Sequence, residues 1–266
     1  MPTIERNRRR WDSERAWESG GDEWSATWGG PEPQWREAIL PRIHDFLPAR
    51  HILEIAPGHG RWTRFLADQC DTLTLVDLSE RCIAVCRKRF EGRGHVRFVV
   101  NDGSSLPTVA DGSIDLAFSF DSLVHAEMPA LDGYLRELAR VLTGDGVAFL
   151  HHSNLAAYGP PGLARRTLPD GLCMALMARG ILVCDHWRAY SVSAELVRDS
   201  AALAGVPCVR QELINWGGDR LIDCLSTFTP RGSRWERATE LITNTGFMAE
   251  ADAIRRRAAA RAAGAT

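Results

Sequence analysis

The run His51-Ile52-Leu53-Glu54-Ile55-Ala56-Pro57-Gly58-His59-Gly60-Arg61-Trp62-Thr63-Arg64-Phe65-Leu66 constrains this chain more than any other part of it. Residues 52–55 are apolar enough for one buried strand, and Pro57, Gly58 and Gly60 end it in a tight turn that opens into a helical pattern. Strand, glycine loop and helix in that order form the floor of a nucleotide-cofactor site. Glycine is expected at 58 and 60 because a ligand must approach the backbone closely there. A dinucleotide fingerprint would place a third glycine at position 63, where this chain has Thr63, so the pattern departs from that of nicotinamide and flavin proteins.

The alternation that follows predicts a parallel sheet with helices on both faces. The first strand and its helix cover 51–69. The second strand, 72–77, ends in Asp77, and Ser79 caps a helix to about residue 90. The third, 95–100, leads into Asn101-Asp102-Gly103-Ser104, and the fourth, 114–120, into the polar stretch 121–127. A helix over 130–142 and the turn Gly144-Asp145-Gly146 precede the fifth strand, 147–150, which runs into His151-His152-Ser153-Asn154. Residues 155–190 read as an insertion where substrate contacts sit. Ser193 caps a further helix to about 204, and 206–215 and 221–229 form a hairpin around Trp216-Gly217-Gly218-Asp219. An ordinary nicotinamide domain would not end that way.

Residues 1–50 form an extension or lid, 51–232 the main domain and 233–266 a helical tail. The extension carries five of the nine tryptophans, Trp11, Trp17, Trp24, Trp28 and Trp35. It reads either as a hydrophobic clasp or as a flap that covers the cofactor or lines a sugar site. Arg8-Arg9-Arg10 is a solvated helix face, and 33–47 an amphipathic helix with a break or restart at Pro41. The segment Arg255-Arg256-Arg257-Ala258-Ala259-Ala260 is helix-prone without an apolar stripe, so the tail is expected to be solvated.

A formal charge of −2 lacks the basic excess of a protein that grips nucleic acid in bulk. The seven cysteines are scattered and form no C-x-x-C pair, which suits reduced thiols. Cys82 and Cys86 are expected as small buried hydrophobes rather than metal ligands. Basic residues near the N-terminus precede no apolar run, so the expectation is a cytoplasmic protein with no membrane contact. Lys88, the one lysine, sits in a helix pattern with arginines on both sides and offers little for Schiff-base chemistry.

The acidic-then-G-x-G form of Glu54 to Gly60, with VDLSERCIAVCRKRF, FSFDSLVHAE and FLHHSN and the preceding EWSATWG, resembles class I S-adenosylmethionine-dependent methyltransferases. Ala56 stands where many members carry a first glycine. Within that class the chain is similar to the sugar 1-O-methyltransferases of methylmannose polysaccharide biosynthesis. The resemblance implies a Rossmann-like α/β fold, a parallel sheet closed by an antiparallel hairpin. It also implies S-adenosylmethionine as cofactor with S-adenosylhomocysteine as product, a magnesium requirement, and the 1-OH of a short 3-O-methylated mannoside as acceptor. It assigns cofactor contacts to Glu54, Ala56, Pro57, Gly58, Gly60, Asp77, Leu78, Asp102, Gly103 and Phe120. Asp77 also stands 23 positions after Glu54, where a carboxylate accepts hydrogen bonds from ribose hydroxyls. The partner expected is a small oligosaccharide, with a homodimer left open. The alternatives are a methyltransferase for another small hydroxylated metabolite, such as a macrolide sugar or a phenol, and a module that binds the cofactor without turnover.

A sugar hydroxyl is barely ionised at neutral pH, so a base near the acceptor oxygen is expected to contribute about 10²–10⁴ in rate. The candidates are His152 first, His151 second, and His125, with Asp121 able to orient a histidine. Adjacent strand residues face opposite ways, so only one of the paired histidines is expected to face the pocket. A divalent metal on Asp121, His125 and His152, with Glu127 and Asn154 nearby, competes for the same residues.

Overall fold

In the computed structural model the described residues are 2–14, 17–158, 172, 175, 176, 179 and 187–264. Most of the expected insertion at 155–190 lies outside them, as do Cys173, Cys184 and His186.

The strands are β1 (Ala49–Ile55), β2 (Cys70–Asp77), β3 (Val96–Val100), β4 (Ile114–Ser119), β5 (Leu142–Ser153), β6 (Cys208–Ile214), β7 (Asp223–Phe228) and β8 (Glu240–Asn244). They form one sheet in the order β3-β2-β1-β4-β5-β7-β6-β8. β7 is antiparallel to both β5 and β6, and the other neighbours run parallel. The expected hairpin is therefore present, with its second strand inserted between β5 and β6. This is the Rossmann-like class I methyltransferase arrangement that the resemblance implies. The order turns back at β1 and β4, and the carboxyl ends of strands at such a switch point bound a ligand crevice.

The principal helices are α1 (Ile4–Trp11), α2 (Glu80–Arg89), α3 (Met128–Val141), α4 (Ala194–Ala204) and α5 (Phe247–Gly264). Thr3, Ser79 and Ser193 cap α1, α2 and α4, each side chain accepting a backbone N–H of the first turn. One face of the sheet packs on Leu131, Leu135, Leu138 and Val141 of α3 and on Val197 and Ala201 of α4. Fully burying each of the larger of these side chains is worth about 1.5–3 kcal/mol. The other face packs on Ile83 and Cys86 of α2, on Trp28, Trp35 and Ile39 of the extension, and on Phe247, Ala251 and Ile254 of α5.

The structure sharpens two expectations. The break or restart expected at Pro41 is a restart without a gap: helical turns run from Pro31 to Phe46, with a π-helical turn at Trp35–Ile39 and an α-helical turn that begins at Leu40 with Pro41 in its first positions. The wider turn accommodates a proline ring that would otherwise meet the carbonyl four residues earlier. The tail is not merely solvated. Residues 240–244 add β8 to the sheet, and Phe247, Ala251 and Ile254 bury one side of α5, with Phe247 edge-on to Trp28 at 4.9 Å. Their apolar stripe lies just upstream of the exposed arginine–alanine segment. Arg257 of that segment and Arg261 just after it reach Glu37 at 2.8 Å each.

Candidate active site

The glycine loop takes the conformation its residues demand, but its closest neighbours belong to the protein itself. Gly58 has φ +59°, and a Cβ there would stand 2.4 Å from the Trp17 ring; Gly60 has φ +83°, and a Cβ would stand 2.5 Å from Phe90. Both positions therefore require glycine for internal packing as well as for conformation. Thr63, in place of a third glycine, donates its hydroxyl to Glu54 at 2.6 Å. Burial pushes the Glu54 carboxyl up to about 8, opposed by the Thr63 hydrogen bond and assisted by the charge of Asp77.

Beyond the strand ends lies a cavity of about 260 Å³. Its lining includes Ala56, Gly58, Asp77, Leu78, Gly103 and Tyr134, then Asp121, Ser122, His125 and Glu127, and from the extension Trp11, Trp17 and Trp24 with Pro2, Thr3, Ile4 and Asn7. Asp77 is 5 % exposed, and its carboxylate accepts the Ser79 N–H at 2.8 Å and the Gly58 N–H at 3.1 Å. Burial raises its pKa to about 6 against the lowering effect of those two bonds. A ribose asks for an acidic acceptor at the end of a second strand, and an adenine for an apolar slot such as Leu78, Gly103, Ala130 and Tyr134 bound. The donor set present thus fits a nucleoside cofactor.

Among the other residues expected to contact cofactor, Ala56 and Leu78 line the cavity, whereas Glu54, Pro57, Gly60, Asp102 and Phe120 do not. Asp102 is exposed and its carboxylate is engaged by the backbone N–H groups of Ser104 and Ser105 at 2.8 and 2.7 Å. Phe120 turns to the opposite face of the sheet, against Trp62 and His151.

The histidines separate sharply. His152 is fully buried; Nδ1 donates to the Ser153 carbonyl and Nε2 accepts from the Ser226 hydroxyl, both at 2.8 Å. Burial takes its pKa down to about 4. With both nitrogens committed and no edge on the cavity, the first candidate for the base is a core residue. His151 is also fully buried: Nδ1 accepts the Asp121 N–H at 3.1 Å, so Nε2 carries the proton of the neutral ring and lies 3.3 Å from Asp223 Oδ2. Neither ring lines the cavity.

His125 does. Its Nδ1 lies 2.9 Å from the Trp187 carbonyl oxygen, which can only accept, so Nδ1 carries the proton and Nε2 keeps a free lone pair. Burial, with Arg188 in support, takes this ring down to about 4 and leaves it neutral at physiological pH. Trp187 holds this geometry at φ +65°, a conformation that costs a non-glycine residue about 1–3 kcal/mol and persists only where its surroundings over-determine it.

Beside His125, Asp121 also has a positive φ, +61°, and its carboxylate meets the Arg61 guanidinium at 2.8 Å. Burial acts to raise its pKa, but Arg61 and Arg188 outweigh it and hold the carboxyl below its ordinary range. Behind Asp121, Arg188 grips Asp223 through Nε and an η nitrogen at 3.0 and 2.7 Å. Among the described residues no group of three or more His, Cys, Asp or Glu is arranged to hold a metal ion. Asp121, His125 and His152 do not converge, because His152 is buried with Ser226 away from the cavity.

The roof is a cluster of rings. Trp17 stacks on His59 with centroids 3.8 Å apart, Trp24 lies 5.0 Å from Trp17, and Trp11 lies 5.2 Å from His125. Arg8, Arg9 and Arg10 of α1 face solvent. Cys82 and Cys86 are buried with thiol pKa values pushed up by burial, the inert setting expected for them. Sequence reasoning singled out neither Asn7, Arg61, Arg188 nor Asp223. Asn7 and Asp223 carry no local motif, and Arg61 stood in the loop with nothing to reveal its partner.

Residues 52–146 match the model of a family described as a methyltransferase domain. Over 124 residues the chain is 27 % identical to the "Probable S-adenosylmethionine-dependent methyltransferase" of Mycobacterium tuberculosis, covering 47 % of this chain and 43 % of the relative. Over 67 residues it is 37 % identical to ribosomal RNA small subunit methyltransferase A of Geobacter metallireducens, covering 24 % of each. The chain thus spans less than half the length of the curated relatives it matches. Among solved structures it is similar to N-methyltransferase NodS of Bradyrhizobium japonicum, with a TM-score of 0.53, 16 % identity and coverage of 87 % of this chain and 100 % of that one. A Pyrococcus horikoshii protein also gives a TM-score of 0.53, at 21 % identity and coverage of 75 % and 91 %. These two likenesses bear on the fold alone. No helix among the described residues is long and apolar enough to cross a membrane.

Proposed function

We propose that this chain is an S-adenosylmethionine-dependent O-methyltransferase acting on a sugar hydroxyl, a reading supported by the match of residues 52–146 to a methyltransferase domain and by the fold. Its sharpest form is transfer to the 1-OH of a short 3-O-methylated mannoside in methylmannose polysaccharide biosynthesis. The observation that carries this reading is that a neutral histidine, His125, shares one cavity with Asp77 and with three indole rings, Trp11, Trp17 and Trp24. Flat aromatic rings accept the apolar faces of a pyranose.

Asp77 would accept the ribose hydroxyls, with Leu78, Gly103, Ala130 and Tyr134 bounding the adenine. When bound, S-adenosylmethionine supplies an electrophilic methyl group on a sulfonium and departs as neutral S-adenosylhomocysteine. The Nε2 of His125 receives the acceptor's hydroxyl proton as the new carbon–oxygen bond forms. Asp121 and Asp223 supply the negative charge that balances the imidazolium so produced, both appearing among the groups that favour the protonated ring. The tryptophans hold the acceptor against the base and keep water out.

A phenol or another hydroxylated metabolite is the competing acceptor, since the aromatic walls suit a flat ring as well. A methyl-transfer assay on free mannosides, 3-O-methylated mannosides, macrolide sugars and phenols, run with and without a chelator, tests the proposal. Transfer to the 3-O-methylated mannoside alone supports its sharpest form. Transfer only to phenols, or cofactor binding without transfer to any acceptor, overturns it.

A further inference from the structure

The N-terminal helix is tied to His125 by a closed ring of three hydrogen bonds. Asn7 Nδ2 donates to the His125 carbonyl oxygen at 2.7 Å. The Nδ1 of His125 donates to the Trp187 carbonyl oxygen at 2.9 Å. The indole Nε1 of Trp187 donates to Asn7 Oδ1 at 3.1 Å. Asn7 is the one buried residue of α1, at 6 % exposure, on the side of the helix whose Ile4 and Trp11 also line the cavity. An apolar side chain of the same size would fill that position without needing partners. An amide there makes sense only if both its donor and its acceptor are used, and they are.

The ring places Asn7 at both ends of the bond that fixes the imidazole. It holds the backbone of His125 and the indole of Trp187, the residue whose left-handed backbone directs its carbonyl to Nδ1. The same helix ends in Trp11, which packs on the His125 ring. Docking of the extension and orientation of the imidazole therefore share one set of contacts.

We propose that Asn7 is a positioning residue for methyl transfer: it couples docking of the N-terminal extension over the cavity to the Nδ1–H form of His125, which leaves Nε2 as the proton acceptor. This rests on the assignment of His125 as the base, but its physical content is a property of the apo chain.

The charged groups around His125 are Asp121 and Glu127 on its own loop, Arg188 and Asp223 behind it, and Arg6 and Arg10 of α1, which stand over the Trp187 ring at 5.7 and 5.1 Å. With α1 docked, burial and Arg188 keep the ring neutral. Loss of the ring of bonds admits water, which returns the imidazole to mixed tautomers and towards its ordinary titration range.

The test is long-range ¹H–¹⁵N spectroscopy of the histidine rings in the full chain, without cofactor or acceptor, from pH 4 to 8. Wild type, Asn7→Leu and the exposed control Arg8→Ala are compared. The expected result is an Nδ1–H tautomer for His125 in wild type and control. In Asn7→Leu the expected result is mixed tautomers and a midpoint raised by about one pH unit or more. In the transfer assay kcat should fall about tenfold or more while the Kd for S-adenosylhomocysteine changes by less than about threefold. If Asn7→Leu does not fold, Trp187→Phe, which removes the indole donor from the ring of bonds while keeping an aromatic ring beneath Arg6 and Arg10, replaces it with the same expectations. An unchanged tautomer and midpoint in the folded variant would overturn the proposal. So would a loss of cofactor affinity that matches the loss of kcat, because Asn7 would then serve closure alone. A non-sugar acceptor would overturn the proposed function and leave these spectra unaffected.

Discussion

The Nδ1 of His125 lies 2.9 Å from the carbonyl oxygen of Trp187, a group that can only accept, and this one contact assigns the ring's tautomer. His152, the sequence-level favourite, donates to a carbonyl as well, but its Nε2 is already taken by Ser226. The difference between a base and a core residue lies in that second nitrogen.

His125→Ala is expected to lower kcat by about 10²–10⁴ with the affinity for S-adenosylhomocysteine little changed. His152→Ala is expected to act on the fold, removing the acceptor of the Ser226 hydroxyl and leaving a cavity beside β5 and β7, at a cost of about 2–4 kcal/mol. Turnover per folded molecule and thermal midpoints distinguish the two. Near wild-type turnover in His125→Ala would return the role to another residue.

Asp77→Ala should weaken S-adenosylhomocysteine binding by about tenfold or more, read by calorimetry. Because burial places its pKa near 6 in the ligand-free chain, the carboxylate that accepts hydroxyl hydrogen bonds predominates only above that value. Affinity should therefore fall as pH drops through about 6, and the fall should vanish in Asp77→Asn.

The Glu54 carboxyl titrates near 8 when folded, against 4.5 as its ordinary value. The folded chain therefore binds more protons than the unfolded one between these values, so this residue makes stability fall as pH rises through that window. The slope can reach at most about 1.4 kcal/mol per pH unit for one proton. Between pH 6.5 and 8, above the values near 4 to which burial takes His59, His125 and His152, Glu54→Gln should flatten the decline in denaturation midpoint. A decline that persists in Glu54→Gln would contradict the assignment.

Gly58→Ala places a methyl group where the Trp17 ring stands and forces alanine to a left-handed φ, which alone costs about 1–2 kcal/mol. A lower melting temperature and altered tryptophan fluorescence are expected. Gly60→Ala should destabilise through Phe90 instead, leaving the Trp17–His59 stack in place.

By itself the sequence determined the sheet, the glycine loop and the strand-end position of Asp77. These rest on short-range signals: apolar periodicity, glycine where φ is positive, and serine caps one turn ahead of a helix. It also marked 121–127 and 151–154 as the polar ends of β4 and β5. What it could not assign was the side chains' partners. The Nε2 of His152 is occupied by Ser226 because β7 inserts between β5 and β6. Asp102 is consumed by its own turn, and α5 docks through a stripe that begins before the segment that looked solvated. The backbone and ring of His125, the base proposed above, are held by Asn7 and Trp187, residues 118 positions before it and 62 after it. Hydrogen-bond partners that distant are chosen by chain packing alone, and tertiary structure therefore decided which histidine can accept a proton.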